Sequence, residues 1–241
     1  MNTILLIAQK ELSSFMRSTW GIAILSIILL IDGLFFNAFS LGSHPRYSAD
    51  VLEDFFYFSS GTTMIAGILL TMKSLAEEKQ TGTEALLFTA PISDSQIIMG
   101  KFFGAYAYLF VITLCTLYMP LLIQINGKIS WGQIFAGYLG LACLGASTIA
   151  IGTFGSTIAK NQLFAAIISS ALLVCFLLGW LLGQITSPPL DAIFSYLALF
   201  DKHFQPFMSG KINTESVVFY LSIAITFLLL SIRVLQTRRV Q

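Results

Sequence analysis

The chain has 241 residues, of which 56% are hydrophobic and 10% are charged, and its formal net charge is +1. A soluble domain carries about 25% charged residues, so a chain this poor in charge is typical of a protein that faces lipid. The near-neutral charge excludes a nucleic-acid partner, which would require clustered Lys and Arg. We therefore expect a single all-α integral membrane domain over residues 1–241.

The first predicted element is an amphipathic helix over residues 1–19, of the kind that lies in the membrane interface. Its apolar arc consists of Ile4, Leu5, Ala8, Leu12, Phe15 and Met16. Six apolar stretches follow, each about long enough to cross roughly 30 Å of hydrocarbon as a helix. These predicted transmembrane helices cover residues 20–41, 55–72, 102–125, 134–158, 163–185 and 217–235.

Asp32 is the only acidic residue well inside an apolar stretch. A carboxylate there costs about 2.5–3.5 kcal/mol to insert, so such residues usually face a partner or a water-filled cavity. Two interpretations stay open. Asp32 lies on a translocation path or a subunit seam, or it is a protonated or snorkelling carboxylate near the outer interface.

The loop over residues 73–101, between the second and third predicted spans, carries the densest local signals. A helix is expected to leave the membrane at Ser74 and to end at Gly82, since glycine suits a left-handed C-terminal cap. Ser93 and Gln96 have the spacing of a capping box at the start of the next membrane helix.

Between these two helix ends, residues 83–89 are predicted to form a short amphipathic helix that ends at Pro91. Its apolar residues are Leu86, Leu87 and Phe88. A short helix held between two membrane helices acts as a lever, since rotating it must tilt both neighbours.

The distribution of basic residues predicts the orientation. An even number of spans places both termini on one side, and that side holds nine Lys and Arg residues against four on the other. Since cytoplasmic loops are enriched in these residues, both termini are expected in the cytoplasm. The outer side then includes residues 186–215, which are rich in aromatic side chains and are expected to form short helices at the outer interface.

Two enzyme classes are excluded by the motifs. ATP hydrolysis needs a phosphate-binding loop that ends in Gly-Lys-Ser or Gly-Lys-Thr, and the Gly-Lys pairs at positions 100, 127 and 210 are followed by Phe or Ile. A zinc protease needs spaced histidines, whereas His44 and His203 lie far apart in predicted outer loops. No catalytic or metal-binding residues are therefore assigned.

Small residues recur at helix-packing spacing and are compatible with contacts inside one chain or with a dimer. These pairs are Gly100 and Gly104, Gly152 and Gly155, and Gly179 and Gly183.

The loop resembles that of the type-2 permeases of ABC transporters, which belong to the exporter class. Their pattern is a Glu-rich exit from the second helix, then Gly-Thr-x-Glu-x-Leu-Leu, a Pro, and a Gly-Lys pair at the third helix. The matching residues are Glu77, Glu78, Gly82, Thr83, Glu84, Leu86, Leu87, Pro91, Gly100 and Lys101. Lys10 and Glu11 resemble the family's N-terminal elbow helix, and residues 195–212 resemble the outer segment of gliding-motility-associated permeases.

The resemblance implies a permease in the cell inner membrane that pairs with a second permease, of the same or a different chain. It also implies two cytoplasmic ATPase subunits, which bind the ATP, so the chain itself needs no cofactor. Residues 83–89 would be the coupling helix seated in a cleft of the ATPase. Glu77, Glu78 and Glu84 would be candidates to pair with basic residues there; the alternative is a solvated acidic loop.

The function implied by the resemblance is export by alternating access, with the substrate path at the dimer seam. An alternative is a non-transporting membrane subunit that passes ATPase-driven motion to an extracytoplasmic protein through residues 186–215. A third option is a small secondary carrier, which would need internal repeats and paired midplane charges. The sequence has one midplane acid and no repeat.

Overall fold

The computed structural model describes residues 3–41, 47–83, 92–127, 129–187 and 190–239. Within these ranges all regular structure is helical, which confirms the predicted all-α class. The helices are α1 (Thr3–Arg17), α2 (Thr19–Phe35), α3 (Ser48–Thr71), α4 (Ala76–Gln80), α5 (Asp94–Cys115), α6 (Tyr118–Asn126), α7 (Trp131–Ile158), α8 (Gln162–Leu177), α9 (Gly179–Ile185), α10 (Leu190–Leu197), α11 (Gln205–Met208) and α12 (Thr214–Arg239).

Five helical segments in the described residues are long and apolar enough to cross a membrane. They are Thr19–Ser40, Ser48–Gln80, Asp94–Ile125, Trp131–Ile158 and Thr214–Arg238. Each overlaps a predicted span, so the chain is a multi-pass membrane protein. Over an apolar stretch of 18 residues in each segment, 72% of the residues are buried in α7 but only 22% in the segment that includes α2. The helix α7 therefore lies at the centre of the bundle, and most of α2 is open to lipid or to a partner.

The predicted span over residues 163–185 is divided at Leu178 into two helices, α8 and α9. With 16 residues, α8 is about 24 Å long, less than the hydrocarbon thickness of about 30 Å. Gly179 brings α9 close to α10, since a Cβ at this position would lie 2.9 Å from the Phe194 carbonyl oxygen. The apolar pattern did not indicate this interruption.

Two other predicted spans are irregular near their C-terminal ends. Residues 102–125 are divided between α5 and α6 by a turn at Thr116 and Leu117. Pro120 follows this turn and has no N–H to continue the helical hydrogen bonds. The helix α2 continues as a wider π-helical segment over Phe36–Leu41.

The three predicted small-residue pairs all make contacts inside the chain. Gly152 lies against Thr71 of α3, and Gly155 lies against Ser169 of α8. Gly100 and Gly104 of α5 face α1, and Gly179 and Gly183 of α9 face α10. Packing within one chain therefore accounts for these glycines.

The predicted outer segment contains the short helices α10 and α11, and Pro188 and Pro189 lie outside the described residues. We call residues 196–208, with the start of α12, the outer cap. Phe204 and Phe207 are fully buried in it, and a Cβ at Gly140 of α7 would lie 2.7 Å from the Phe207 Cβ. The Tyr220 hydroxyl of α12 donates to the Leu199 carbonyl at 2.6 Å. The outer cap is thus packed on the N-terminal halves of α7 and α12.

Candidate functional site

The first half of the loop leaves the bundle as predicted. After α3 ends, α4 is closed by Gly82, whose φ of +71° is the left-handed conformation that glycine adopts readily. The Gly82 N–H donates to the Lys79 carbonyl at 3.2 Å, and the Thr83 N–H donates to the Glu78 carbonyl at 2.9 Å. This pair of bonds is a Schellman motif, which confirms the predicted helix end.

The second half returns through the predicted capping box. The Gln96 N–H donates to the Ser93 hydroxyl at 3.4 Å, and the Ser93 N–H donates to the Gln96 side-chain oxygen at 3.1 Å. The predicted coupling helix, with Glu84, Leu86, Leu87 and Pro91, lies outside the described residues. We call residues 71–83 and 92–101 the loop root, since they flank residues 84–91 along the chain.

Lys101 joins the two halves of the loop root to α1. Its Nζ lies 2.8 Å from Glu78 Oε1 and 3.5 Å from Glu11 Oε1, and it donates to the Ser74 carbonyl at 2.9 Å. The Lys101 residue is only 5% exposed. A buried ammonium is tolerated when opposite charges and hydrogen bonds surround it, as they do here. Three separate elements therefore meet at one cation.

The helix α1 packs along α5 next to this cation. A Cβ at Gly104 would lie 2.6 Å from Glu11 Cβ, and a Cβ at Gly100 would lie 2.6 Å from Ile7 Cβ. Phe15 stacks on Tyr108 of α5, with ring centroids 5.4 Å apart. The absence of a side chain on two successive turns of α5 is what allows this close contact.

The apolar arc predicted for α1 is partly packed against the protein, through Phe15, and partly exposed. Ile7 and Glu11, which lie outside that arc, contact α5. Leu5 and Met16, which lie on it, are 60% and 56% exposed. A helical-wheel pattern assumes one apolar side, whereas α1 has one side against protein and another that is open.

The loop root is also fixed to the end of α7. The Lys79 ammonium donates to the Thr157 carbonyl, and also to the Ala159 carbonyl at 3.2 Å. Arg238 of α12 donates to the Ile158 carbonyl at 2.9 Å. These carbonyls lack helical partners, and cations are favoured at the negative end of a helix dipole.

Ser156 of α7 forms the complementary contact with the start of α4. Its hydroxyl accepts hydrogen bonds from the backbone N–H groups of Leu75 and Ala76, both at 3.0 Å. The first N–H groups of a helix need such an acceptor, and Ser156 is completely buried. The α7 end and the α4 start therefore satisfy each other's backbone groups.

An open recess of about 360 Å³ lies between α1 and the loop root. Glu77 forms part of its wall, and Lys73 lies over the Trp20 ring at 4.7 Å on the same side. Thr83 also lines the recess and is exposed. Of the predicted contact acids that are described, both Glu77 and Glu78 line this recess, and Glu78 is in addition ion-paired with Lys101.

The sequence matches the family described as ABC-2 family transporter protein over residues 5–238. The chain belongs to this family. It is 25% identical over 174 residues to the probable ABC transporter permease protein NosY of Pseudomonas aeruginosa, covering 69% of this chain and 57% of that relative. It is 30% identical over 111 residues to the probable ABC transporter permease protein NosY of Stutzerimonas stutzeri, covering 43% of this chain and 39% of that relative. The matches thus span less than two thirds of either relative's length.

Membership confirms the resemblance drawn from the loop. Proteins of the ABC-2 family are membrane permeases that work with an ATP-binding subunit. The sequence reasoning missed Ser156, Lys79 and Arg238 as parts of this site. Basic and hydroxyl side chains near helix ends indicate possible capping residues. Which carbonyl or N–H groups they bind depends on the tertiary fold, so the sequence did not identify these contacts.

Asp32 of the ABC-2 permease lies away from the loop root. It is 4% exposed and faces α3, where the Thr62 hydroxyl donates to Asp32 Oδ1 at 2.7 Å. The structure therefore places this carboxylate in the interior of one chain's bundle.

Proposed function

We propose that this chain is the permease subunit of an ABC exporter that moves its substrate across the cell inner membrane by alternating access. A separate pair of ATPase subunits binds and hydrolyses ATP, and a second permease completes the transporter. Both termini and the loop root lie in the cytoplasm, and α8 with α9 provides a sixth crossing. The exposed Leu5 and Met16 of α1 insert into the inner interface, so α1 is the elbow helix.

The observation that supports this proposal is the fixation of the loop root to three helices. Lys101 ties it to α1 and α5, while Lys79 and Ser156 tie it to α7. Buried charge-assisted bonds do not stretch easily, because separating them leaves charges unpaired in a poorly solvated place. A force applied to residues 84–91 by an ATPase would therefore move these helices with the loop.

The acidic residues of the loop take different roles in this proposal. Glu78 is bound to Lys101 inside the chain and transmits force. Glu77 borders the open recess, so we assign it and Glu84 as partners for basic residues of the ATPase. Leu86 and Leu87 supply the apolar contact of the coupling helix, which ends at Pro91.

The first experiment identifies the partner. The full chain is tagged in its native membrane, solubilised and purified, and co-purifying proteins are identified by mass spectrometry. An ATP-binding subunit is expected, and it should be lost when Glu84→Ala and Leu87→Ala are combined. A wild-type preparation that repeatedly contains no ATP-binding subunit would contradict the proposal, as would labelling of Thr83→Cys only from outside the cell.

The second experiment separates docking from transmission. Lys101→Met should retain the ATP-binding subunit but lose most of the ATP-driven change in distance between spin labels on the outer cap of the assembled complex. Lys73→Met is the matched control, since Lys73 lies on the same side and contacts only the Trp20 ring in the contacts described above. If Lys101→Met and Lys73→Met show the same ATP-driven distance change, the loop root does not transmit the motion of the ATPase.

A second candidate function is favoured by the outer cap. An open recess of about 410 Å³ lies there, with Glu53, Asp201, Gln205, Lys211 and Asn213 among its lining residues. Such a polar recess on a folded cap suits a protein partner better than an apolar substrate. In this case the chain passes ATPase-driven motion to an extracytoplasmic protein. A photo-crosslinker at position 205 tests it, and capture of a specific protein whose yield changes with ATP would favour it over export.

A further inference from the structure

The cavity beside Asp32 has unusual chemistry for the interior of a membrane helix bundle. It is about 10 Å³ in volume, which is enough for one particle of the size of water. Besides Asp32 of α2, its polar lining comes from Ser59 and Thr63 of α3, from Thr113 of α5 and from Thr116, which follows α5. A lipid, peptide or drug is far too large for it.

The charge of Asp32 has little compensation. Among the residues described, none of the Lys, Arg or His side chains forms an ion pair with it, and Thr62 supplies a single neutral hydrogen bond. Lys101, in contrast, is surrounded by two carboxylates. A buried carboxylate with one neutral donor needs a positive ligand or a proton to be stable in this position.

The hydroxyl groups around the cavity present oxygen lone pairs to it. The Thr113 hydroxyl donates its proton to the Leu109 carbonyl at 3.0 Å, and the Thr116 hydroxyl donates its proton to the Thr113 carbonyl at 2.7 Å. The Tyr138 hydroxyl, 3.1 Å from that of Thr116, must then be the donor in that pair. With their protons used, Thr113 and Thr116 can only accept from a ligand in the cavity.

The helices around the cavity are interrupted at this level. The π-helical segment begins at Phe36, four residues after Asp32, and α5 ends at Cys115, next to Thr116. Interrupted helices and π-segments recur where membrane proteins bind ions, because they allow oxygen ligands to converge.

We propose that this cavity binds one dehydrated monovalent cation of the size of Na⁺, with Asp32 as the charged ligand and the surrounding hydroxyls as neutral ligands. Hard cations prefer such an all-oxygen set. One carboxylate balances one positive charge, and the described residues contain no group of three or more His, Cys, Asp or Glu that would suit a divalent metal. The bound ion would hold α2, α3 and α5 together at one point.

The experiment measures thermal unfolding of the purified full chain while NaCl replaces choline chloride at constant ionic strength. Na⁺ should raise the Tm of the wild type saturably, by about 3–6 °C at roughly ten times its Kd. Choline should have no effect. Asp32→Asn should show no response to Na⁺, whereas Asp201→Asn, which removes an exposed acid of the outer cap, should respond like the wild type.

Thr113→Val keeps the shape but removes one oxygen, so it should require several-fold more Na⁺ for half of the shift. It is also the test variant if Asp32→Asn does not fold. A wild type without a Na⁺-dependent shift overturns the proposal, and so does an undiminished shift in Asp32→Asn. A wild type that is stabilised by acid but not by Na⁺ shows that a proton neutralises Asp32, which also overturns it.

Discussion

The two ends of the bundle are held together by different physical means. At the loop root, charged side chains bind carboxylates and free helix carbonyls of other elements, and Lys101 and Lys79 are the main examples. In the outer cap, aromatic rings pack on one another around a histidine. His203 stacks on Phe219 with centroids 3.8 Å apart and donates to the Tyr196 carbonyl at 2.9 Å.

The difference predicts which end moves together with its helices. Directional charge-assisted bonds fix both the distance and the angle between elements, whereas stacked rings tolerate sliding at small cost. The loop root should therefore move with its helices as one unit, and the outer cap should adapt when they move. Four predictions test this contrast.

The largest effect is expected for Lys101→Met. Met fills a similar volume, but Glu11 and Glu78 would be left without their cation, at a cost of about 3 kcal/mol in the free energy of unfolding. This is the low end for a broken buried pair, because both carboxylates are partly exposed. Thermal or denaturant unfolding of the purified chain measures it. Adding Glu78→Gln to Lys101→Met should restore part of the lost free energy of unfolding. If the double variant is less stable than Lys101→Met, the charge argument is wrong.

The next effect is expected for Gly104→Ala. The added methyl group would meet Glu11 Cβ at 2.6 Å and the Ala8 carbonyl oxygen at 3.0 Å, so α1 must shift. Overpacking of this kind costs about 2 kcal/mol. Gly61→Ala is the control, since a Cβ there has no neighbour within 4 Å, and helix propensity should make it neutral or slightly stabilising. Equal stability of the two variants would contradict tight α1 packing.

Ser156→Ala should have a smaller effect. It removes the acceptor of the Leu75 and Ala76 N–H groups, and a lost helix cap costs about 1–2 kcal/mol. In this variant, hydrogen exchange should be faster than in the wild type in α4 and unchanged in the rest of the chain. Ser170→Ala is the control, because the Ser170 hydroxyl donates only to a carbonyl of its own helix. An unchanged exchange rate in α4 would show that the cap is not needed.

The smallest effect concerns pH and the outer cap. Burial lowers the pKa of His203 below its usual 6.5, and nearby Lys202 lowers it further, against the raising effects of the Tyr196 carbonyl and of Glu215. Below about pH 6.5 the unfolded chain therefore binds a proton that the folded chain does not, so stability should fall with falling pH. Unfolding between about pH 7.5 and pH 5.5 measures this loss. In His203→Gln, stability should depend less on pH over this range. An unchanged slope of stability against pH in this variant would contradict the role of His203.

Much of the fold was predictable because a helix that crosses lipid needs a long, nearly uninterrupted apolar stretch. Apolar stretches of sufficient length predicted all five long helices, and Gly82, Ser93 and Gln96 gave correct helix ends because capping depends on local geometry. The break at Leu178 was missed, since it depends on the contact between Gly179 and α10, which hydropathy does not contain.

The candidate site was only partly predictable for a similar reason. Glu78 and Lys101 were recognised as members of a motif, but their ion pair requires the two sides of the loop to meet in space. Glu11 joins them from 90 residues away along the chain. For Asp32, the apolar surroundings indicated a special position, whereas the hydroxyl groups that surround it come from helices whose register is fixed only by packing.

The unbroken length of α7 has a mechanical meaning. Its 28 residues make a helix about 42 Å long, held at one end by Lys79 and Arg238 and near the other by Gln133, whose side chain donates to the Met208 carbonyl at 3.1 Å. Its neighbours α5 and α8 are both interrupted, at Thr116–Leu117 and at Leu178, where bending can absorb displacement. A displacement at the loop root would reach the other end of α7 without crossing such an interruption.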